Sequence, residues 1–170
     1  EQASVLTKIA PGGLSDIRII VANGTPVSAM LRMPTEQSSG KANLHQGAIG
    51  VAIDLRSGQT LRAQHKSKVI TEHPDTGASL IGVQIPDWYF IYDMACRCYQ
   101  AVPLGYLGVD ICIDEEMGAL VLEVNGRPGL EIQNVHEKGF REEMQKAFFT
   151  HLKPIQPNSN AKHASEGVAS

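Results

Sequence analysis

The sequence lacks the features that mark several classes of protein. Its 170 residues carry a formal net charge of −3 with no run of basic residues, so nucleic acid and anionic membrane surfaces are not expected as main partners. No apolar stretch is long enough to cross a bilayer, and the first residues show no charged-then-apolar signal pattern. We therefore expect no membrane partner and a cytoplasmic location.

Cysteine is also scarce, with three residues in the whole chain. An odd number of cysteines without secretory features favours reduced thiols. Cys96 and Cys98 lie two apart on a predicted helix, where such neighbours do not face each other, and with Cys112 they make a poor zinc set. We interpret all three as small core residues.

The apolar pattern predicts one α+β domain over residues 1–153, with a mainly antiparallel sheet of hairpins and two helices. Asn23-Gly24 between apolar runs is a strong hairpin signal. Residues 154–170 have no apolar periodicity and are predicted to be a disordered tail. Strands are predicted at 17–22, 27–33, 47–55, 59–64, 106–114 and 120–125, and helices at 87–102, capped by Asp87, and 140–152.

An acidic hairpin is the first candidate for chemistry. If Asp114 pairs with Ala119 across the turn, Asp110 lies directly opposite Glu123, and Asn125 shares the face of Glu123. Two adjacent carboxylates in apolar surroundings repel unless a positive group joins them. Magnesium prefers such oxygen ligands, so these three residues are candidate metal ligands. The alternative is that an arginine or lysine bridges the pair.

A basic hairpin and a polar loop precede it. Arg18 and Arg32 suit bidentate contact with phosphate or carboxylate oxygens, and the loop at 34–46, expected to be mobile, carries Lys41 and Asn43. A two-residue turn at Asn23-Gly24 would put the two arginines on opposite faces of the hairpin. A three-residue loop with a glycine bulge would bring them together, and the sequence does not decide between these.

Three ordered motifs resemble the C-terminal subdomain of RimK-type ATP-grasp ligases, and most closely the alpha-L-glutamate ligase-like proteins associated with sugar transfer. They span roughly residues 14–135. In the sequence they read Asp16-Ile17-Arg18-Ile19-Ile20-Val21 with Ala29-Met30-Leu31-Arg32, then Lys41-Ala42-Asn43-Leu44-His45-Gln46-Gly47, and then Gly108-Val109-Asp110-Ile111 with Leu122-Glu123-Val124-Asn125-Gly126-Arg127-Pro128-Gly129-Leu130.

The resemblance implies a site and a reaction. Asp110, Glu123 and Asn125 would hold magnesium, or manganese, between ATP phosphates. Arg18, Arg32 and Asn43 would line the phosphate and acyl-phosphate region as catalytic residues, with Lys41 also on the phosphate side. The implied reaction is phosphorylation of a carboxylate by ATP, followed by attack of an amine on the acyl phosphate.

The family's N-terminal ATP-grasp subdomain has no counterpart in this sequence, and Glu1 in place of an initiator methionine suggests a processed or partial product. We therefore expect weak ATP binding, little ligase activity from the chain alone, and exposed apolar surface that favours a homodimer. Two other functions stay open: a non-catalytic interaction domain that retains the fold, favoured if Arg127 or Lys41 bridges the carboxylates, and a divalent-metal phosphohydrolase.

Overall fold

A computed structural model describes residues 1–149 and shows an α+β fold. Within these residues the strands form one antiparallel sheet with the order β5-β4-β3-β2-β1-β6-β7. The strands are β1 Asp16–Ala22, β2 Thr25–Met33, β3 Ile49–Ile53, β4 Thr60–His65, β5 Lys68–Ile70, β6 Tyr106–Asp114 and β7 Gly118–Asn125. The helices are α1 Ser4–Thr7, α2 Trp88–Ala101, α3 Glu131–His136 and α4 Arg141–Phe149, with a 3-10 turn at Leu44–Gln46.

The two faces of the sheet are covered differently. One face packs on α2 through Ile17, Ile19 and other fully buried residues that alternate along the strands. The opposite face is covered by α3 and α4 over only part of its area, around Ile20 and Met30. The remainder of that face, where Asp16, Arg18, Arg32 and Asp110 lie, is left open to a cleft.

The predicted mainly antiparallel α+β fold is confirmed, but the number of helices is wrong. The described residues contain four α-helices rather than two, because α1 and α3 are too short to show a helical period. Strand β5 was also missed, since three residues after the tight turn at Lys66 and Ser67 carry no alternating pattern. The predicted tail at 154–170, and the end of the helix predicted at 140–152, lie outside the described residues.

Two further expectations can be compared with the structure. Asp87 precedes α2 but does not cap it, because its backbone is left-handed (φ 49°) and its side chain makes no capping hydrogen bond. The loop at 34–46 was expected to be mobile, yet its ends are fastened. Thr35 Oγ1 donates to the Gly47 carbonyl at 2.9 Å, and His73 Nε2 lies 2.9 Å from the Pro34 carbonyl oxygen.

The cysteines are only partly core residues. Cys112 is buried, whereas Cys96 and Cys98 are half-buried on α2. Burial raises the pKa of all three thiols, which favours the protonated form. Among the described residues no helix is long and apolar enough to span a bilayer.

His136 makes the stability of the fold dependent on pH. Its Nε2 lies 2.7 Å from the Ala29 carbonyl oxygen, and burial lowers its pKa although that hydrogen bond opposes the shift. The unfolded chain therefore takes up the proton first, and stability is lost as pH falls below the unfolded value of about 6.5. We expect His136→Gln to reduce the difference in free energy of unfolding between pH 7 and pH 5, measured by urea titration.

The exposed His45 provides the control for this measurement. His45→Gln should leave the difference between the two pH values as it is in the original chain. An equal reduction in both variants would show that the pH dependence does not come from His136.

Candidate functional site

The cleft of about 510 Å³ lies above β1, β2, β6 and β7, beside the N-terminal end of α3 and the 3-10 turn. It collects most of the residues to which the sequence assigns a function. The lining residues are Asp16, Arg18, Met30, Arg32, Ala42, Asn43, Leu44, His45, Asp110, Leu122, Glu123, Gly129 and Glu131.

A β-bulge brings the two arginines onto one face. The turn at Asn23-Gly24 has two residues, because Ala22 pairs with Thr25, which by itself would separate them. Val27 is an extra residue between the pairs Val21–Pro26 and Ile20–Ser28, and it shifts the register by one. Arg18 is then opposite Met30, and Arg32 is two residues further along the same face.

A second bulge sets the acidic pair. Asp114 pairs with Gly118, not with Ala119 as expected, and this register alone would place Leu122 opposite Asp110. Leu122 is the extra residue, so Glu123 pairs with Asp110 after all. The predicted pairing of Asp110 with Glu123 is confirmed, although its assumed turn register is wrong.

Four side chains form a chain of alternating charge at the floor of the cleft. Arg18 donates two hydrogen bonds to Asp110, from Nε to Oδ1 at 2.7 Å and from Nη2 to Oδ2 at 2.6 Å. Arg32 donates to Asp16 in the same way, from Nε to Oδ1 at 2.5 Å and from Nη2 to Oδ2 at 2.8 Å. Its Nη2 also donates to Asp110 Oδ2 at 2.7 Å. These are bidentate, charge-assisted contacts of the strong kind.

The pairs are shielded from water, which strengthens them. The Asp110 side chain is 5% exposed, and the side chains of Arg18 and Arg32 are 12–13% exposed. Burial raises the pKa of Asp16, and the hydrogen bond and charge of Arg32 oppose that shift. Burial also opposes the charge on Arg32, but Asp16 and then Asp110 outweigh it, so the pKa of Arg32 lies above its usual range. Each group therefore depends on its partner to remain charged.

The candidate ligands are not all brought together. Glu123 lies at the cleft and is exposed, and its carboxylate accepts no hydrogen bond from any residue within 1–149. Asn125 shares its face, but Asn125 Oδ1 accepts from the Arg127 backbone N–H at 2.9 Å, and the residue does not line the cleft. The predicted trio is therefore a pair, Asp110 and Glu123, with the asparagine turned towards its own loop.

The loop residues are also divided. Asn43 lines the cleft, with its Oδ1 accepting the backbone N–H of His45 at 3.0 Å, whereas Lys41 is exposed and outside the lining. Neither Arg127 nor Lys41 is hydrogen-bonded to Asp110 or Glu123. The cations that hold Asp110 are Arg18 and Arg32 instead.

Two acidic lining residues, Asp16 and Glu131, were not given a function from the sequence. Asp16 lies two residues before Arg18 on one face of β1, directly opposite Arg32, a position that only the bulge at Val27 reveals. Glu131 is in the first turn of α3 and accepts from Asn134 Nδ2 at 3.0 Å. A helix too short to be predicted gave no signal for it.

The charge of the cleft favours cations. Asp16, Asp110, Glu123 and Glu131 oppose only Arg18 and Arg32 among the lining residues, so the cleft has excess negative charge when its carboxylates are ionised. Of the four acceptor positions on the Asp110 carboxylate, three are taken by arginine N–H groups, and one on Oδ1 is left. With Glu123, this is an oxygen donor set that a hard divalent cation fits.

The comparisons with known proteins identify the family. The profile described as sugar-transfer associated ATP-grasp matches residues 1–147. The chain belongs to this ATP-grasp family. Two curated relatives, both named probable alpha-L-glutamate ligase, agree with it. The one from Syntrophotalea carbinolica is 28% identical over 163 residues, or 95% of this chain, and the one from Mannheimia succiniciproducens is 32% identical over 124 residues, or 73% of this chain.

This ATP-grasp chain spans 43% and 30% of the lengths of those two relatives. Two solved structures of the ATP-grasp ligase PsnB are also similar to it. The complex with a minimal precursor has a TM-score of 0.36 at 19% identity, over 71% of this chain and 28% of that one. The complex with minimal precursor, Mg and ADP has a TM-score of 0.41 at 17% identity, over 79% and 32%.

Proposed function

We propose that this ATP-grasp chain supplies the cation-binding side of the nucleotide site in an ATP-dependent carboxylate–amine ligase. The observation that carries the proposal is the placement of Asp110 opposite Glu123 at a cleft whose floor holds Arg18 and Arg32, both largely shielded from water. The names of the curated relatives support a glutamate ligase-like reaction. Because the chain spans less than half of their length, we expect the rest of the nucleotide site to come from a further ATP-grasp subdomain.

The oxygen donors and the excess negative charge of the cleft suit a magnesium ion, whereas they would repel a polyphosphate that carries no metal. Asp110 Oδ1 and Glu123 would hold the ion, and Asn125 would join them only if its amide left the Arg127 N–H. Bound there, the ion would neutralise phosphate charge in a cleft that is otherwise too negative for a nucleotide. Manganese, with similar ligand preferences, is expected to substitute.

The arginines have donors left for the reacting groups. Neither Nη1 has a hydrogen-bond partner within residues 1–149, so both can donate to an anion that enters the cleft. In the proposed reaction a carboxylate oxygen attacks the γ-phosphorus of ATP and ADP leaves. An amine then attacks the acyl carbon, phosphate departs and the amine loses a proton. Arg18 and Arg32 would stabilise the negative charge on the transferring phosphoryl group, and Asn43 would contact it from the loop.

Glu123→Gln tests the metal side of the site. It removes one carboxylate from a cation held by two, so we expect the affinity for Mn²⁺ to fall by about tenfold or more. Binding is measured by calorimetry and by water-proton relaxation, with and without ATP. The matched control is Glu72→Gln, which removes the same charge from an exposed position outside the cleft. Equal Mn²⁺ affinity in the two variants would refute the proposed site.

A non-catalytic interaction domain is the second candidate function. The occupation of three of the four Asp110 acceptor positions by arginine favours it, because a purely structural cluster would be satisfied in this way. The two candidates differ in the calorimetric result. A folded chain that takes up no Mn²⁺, even with ATP present, supports the interaction domain.

A further inference from the structure

The two arginines of the cleft have unequal partners. Within residues 1–149, Arg18 has one carboxylate partner, Asp110, to which it donates hydrogen bonds from two nitrogens. Arg32 has two partners, because it makes the bidentate contact with Asp16 and reaches Asp110 with a single hydrogen bond from Nη2. Asp110 is thus shared between the arginines, whereas Asp16 serves Arg32 alone.

We propose that Asp16 is a positioning residue that fixes Arg32 in the cleft independently of Asp110, so that a cation taking the Asp110 carboxylate releases Arg18 alone. Asp16 itself contacts neither nucleotide nor metal in this proposal. The part that concerns a cation rests on the proposed function, and the part that concerns the two arginines does not.

The register of the sheet builds the Asp16–Arg32 contact into the fold. Asp16 and Arg32 are direct partners in the β1–β2 ladder, and Asp16 is 9% exposed. A buried carboxylate that loses its only guanidinium partner is strongly disfavoured, so Asp16 should keep Arg32 whatever happens at Asp110. The planar guanidinium of Arg32 then keeps its orientation, and so does its Nη1 group.

Within residues 1–149, Arg18 has no second carboxylate at hydrogen-bond distance. It lies opposite Asp110 in the β1–β6 ladder, and when a cation neutralises Asp110 its two charge-assisted bonds are weakened together. The two N–H donors that it gives to Asp110 then become available to an anion, in addition to those already free, whereas Arg32 frees only the one donated to Asp110. The two arginines therefore have different roles: Arg32 is a fixed donor, and Arg18 is a donor whose availability depends on the occupancy of Asp110.

Side-chain NMR tests the positioning role without metal or nucleotide. Asp110→Asn removes the Asp110 charge at constant shape. We expect the Arg18 Nε–H to exchange with water about tenfold faster in this variant, while the Arg32 Nε–H changes little. In Asp16→Asn the pattern should reverse, with faster exchange at Arg32 and little change at Arg18. The exposed Arg56, whose guanidinium makes no hydrogen bond within residues 1–149, provides the reference for an unprotected side chain.

Two results would overturn the inference. One is loss of protection at both arginines in Asp110→Asn, which would mean that Asp16 does not hold Arg32 by itself. The other is unchanged protection of Arg32 in Asp16→Asn. Backbone amide spectra show whether each variant is folded, and the Asp16→Asn result decides the question alone if Asp110→Asn does not fold.

Mn²⁺ binding then tests the consequence for the site. In Asp16→Asn the freed Arg32 turns to Asp110 and competes with the cation, so we expect about tenfold weaker Mn²⁺ binding than in the original chain. Asp16→Asn combined with Arg32→Met should recover the affinity, which a merely structural role for Asp16 would not allow. If Mn²⁺ binding were weakened equally in the single and the double variant, competition between Arg32 and the cation for Asp110 would be refuted.

The two measurements separate this inference from the proposed function. If the NMR pattern is as expected but the original chain binds no Mn²⁺, the proposed function fails and the positioning role stands. If Mn²⁺ binds through Glu123 while Asp16→Asn leaves Arg32 protected, the positioning role fails alone.

Discussion

Replacing Asp110 with alanine is expected to lower the free energy of unfolding by about 3–5 kcal/mol, the range for breaking a buried ion pair by removing one partner. Asp110 accepts three hydrogen bonds from Arg18 and Arg32, whose guanidinium groups are almost as buried as the carboxylate. Without it, Arg18 is left as an uncompensated charge between strands β1 and β6, and Arg32 retains only Asp16.

Urea unfolding at neutral pH measures this loss, and the other member of the acidic pair is the control. Glu123 lies directly opposite Asp110 but is exposed and accepts no hydrogen bond within residues 1–149, so Glu123→Ala should change stability by no more than about 0.5 kcal/mol. Similar losses in the two alanine variants would mean that the arginines do not depend on Asp110.

Gly50→Val is expected to destabilise the chain by about 1–3 kcal/mol, and also to reshape the cleft. Gly50 lies on β3, beside Arg32 in the ladder, beneath α3 and the 3-10 turn. A Cβ there would stand 2.5 Å from Val135 Cγ2 and 2.9 Å from Leu44 Cδ2. Either these two side chains must repack or the helix and the turn that carry them must move. Both elements line the cleft, through Glu131 and through Leu44 with its neighbours.

Two measurements follow the Gly50 variant: urea unfolding for stability, and amide shifts of residues 42–45 and 131–136 for displacement. Gly12→Ala is the control, because a Cβ at Gly12 would meet no atom within 4 Å. We expect shifts confined to those two segments in the Gly50 variant and none there in the control. A Gly50→Val chain as stable as the original would show that the interface above β3 is loosely packed.

Much of the sheet could be predicted because its signals are local. The Asn23-Gly24 turn, with positive φ at both residues, predicts the first hairpin, and unbroken apolar runs predict β1, β2 and β6 to within a few residues. Elements shorter than about two turns or four strand residues, such as α3 and β5, have too few positions to show a period. Their formation depends on packing, as the burial of Ile132 and Val135 against the sheet shows.

The site was harder to predict because bulges have no reliable sequence signal. Arg18 and Arg32 could be recognised as candidate anion-binding residues, but their common face depends on one extra residue, Val27, in β2. The same limit hid the role of Asp16. The pairing of Asp110 with Glu123 was predicted from a turn register that is off by one, and the bulge at Leu122 cancels the error.

The ion pairs could not be predicted for a different reason. The acidic pair indicated a missing cation, and the sequence offered both a metal and a basic side chain. Only the three-dimensional arrangement shows that Arg18, on the strand next to Asp110, and Arg32, one strand further away, both bond its carboxylate. The Glu123 carboxylate is left without a hydrogen-bond partner among residues 1–149.

The bulge at Leu122 gives β7 one residue that the strand can lose without changing the pairing of the two carboxylates. Deleting this single residue would leave both strands, their turn and every charged side chain in the protein. Glu123 would then directly follow Val121 in a regular ladder and would still lie opposite Asp110. In diverging copies of this chain, the loss of one residue between Asp110 and Glu123 should therefore be tolerated better than the loss of either carboxylate.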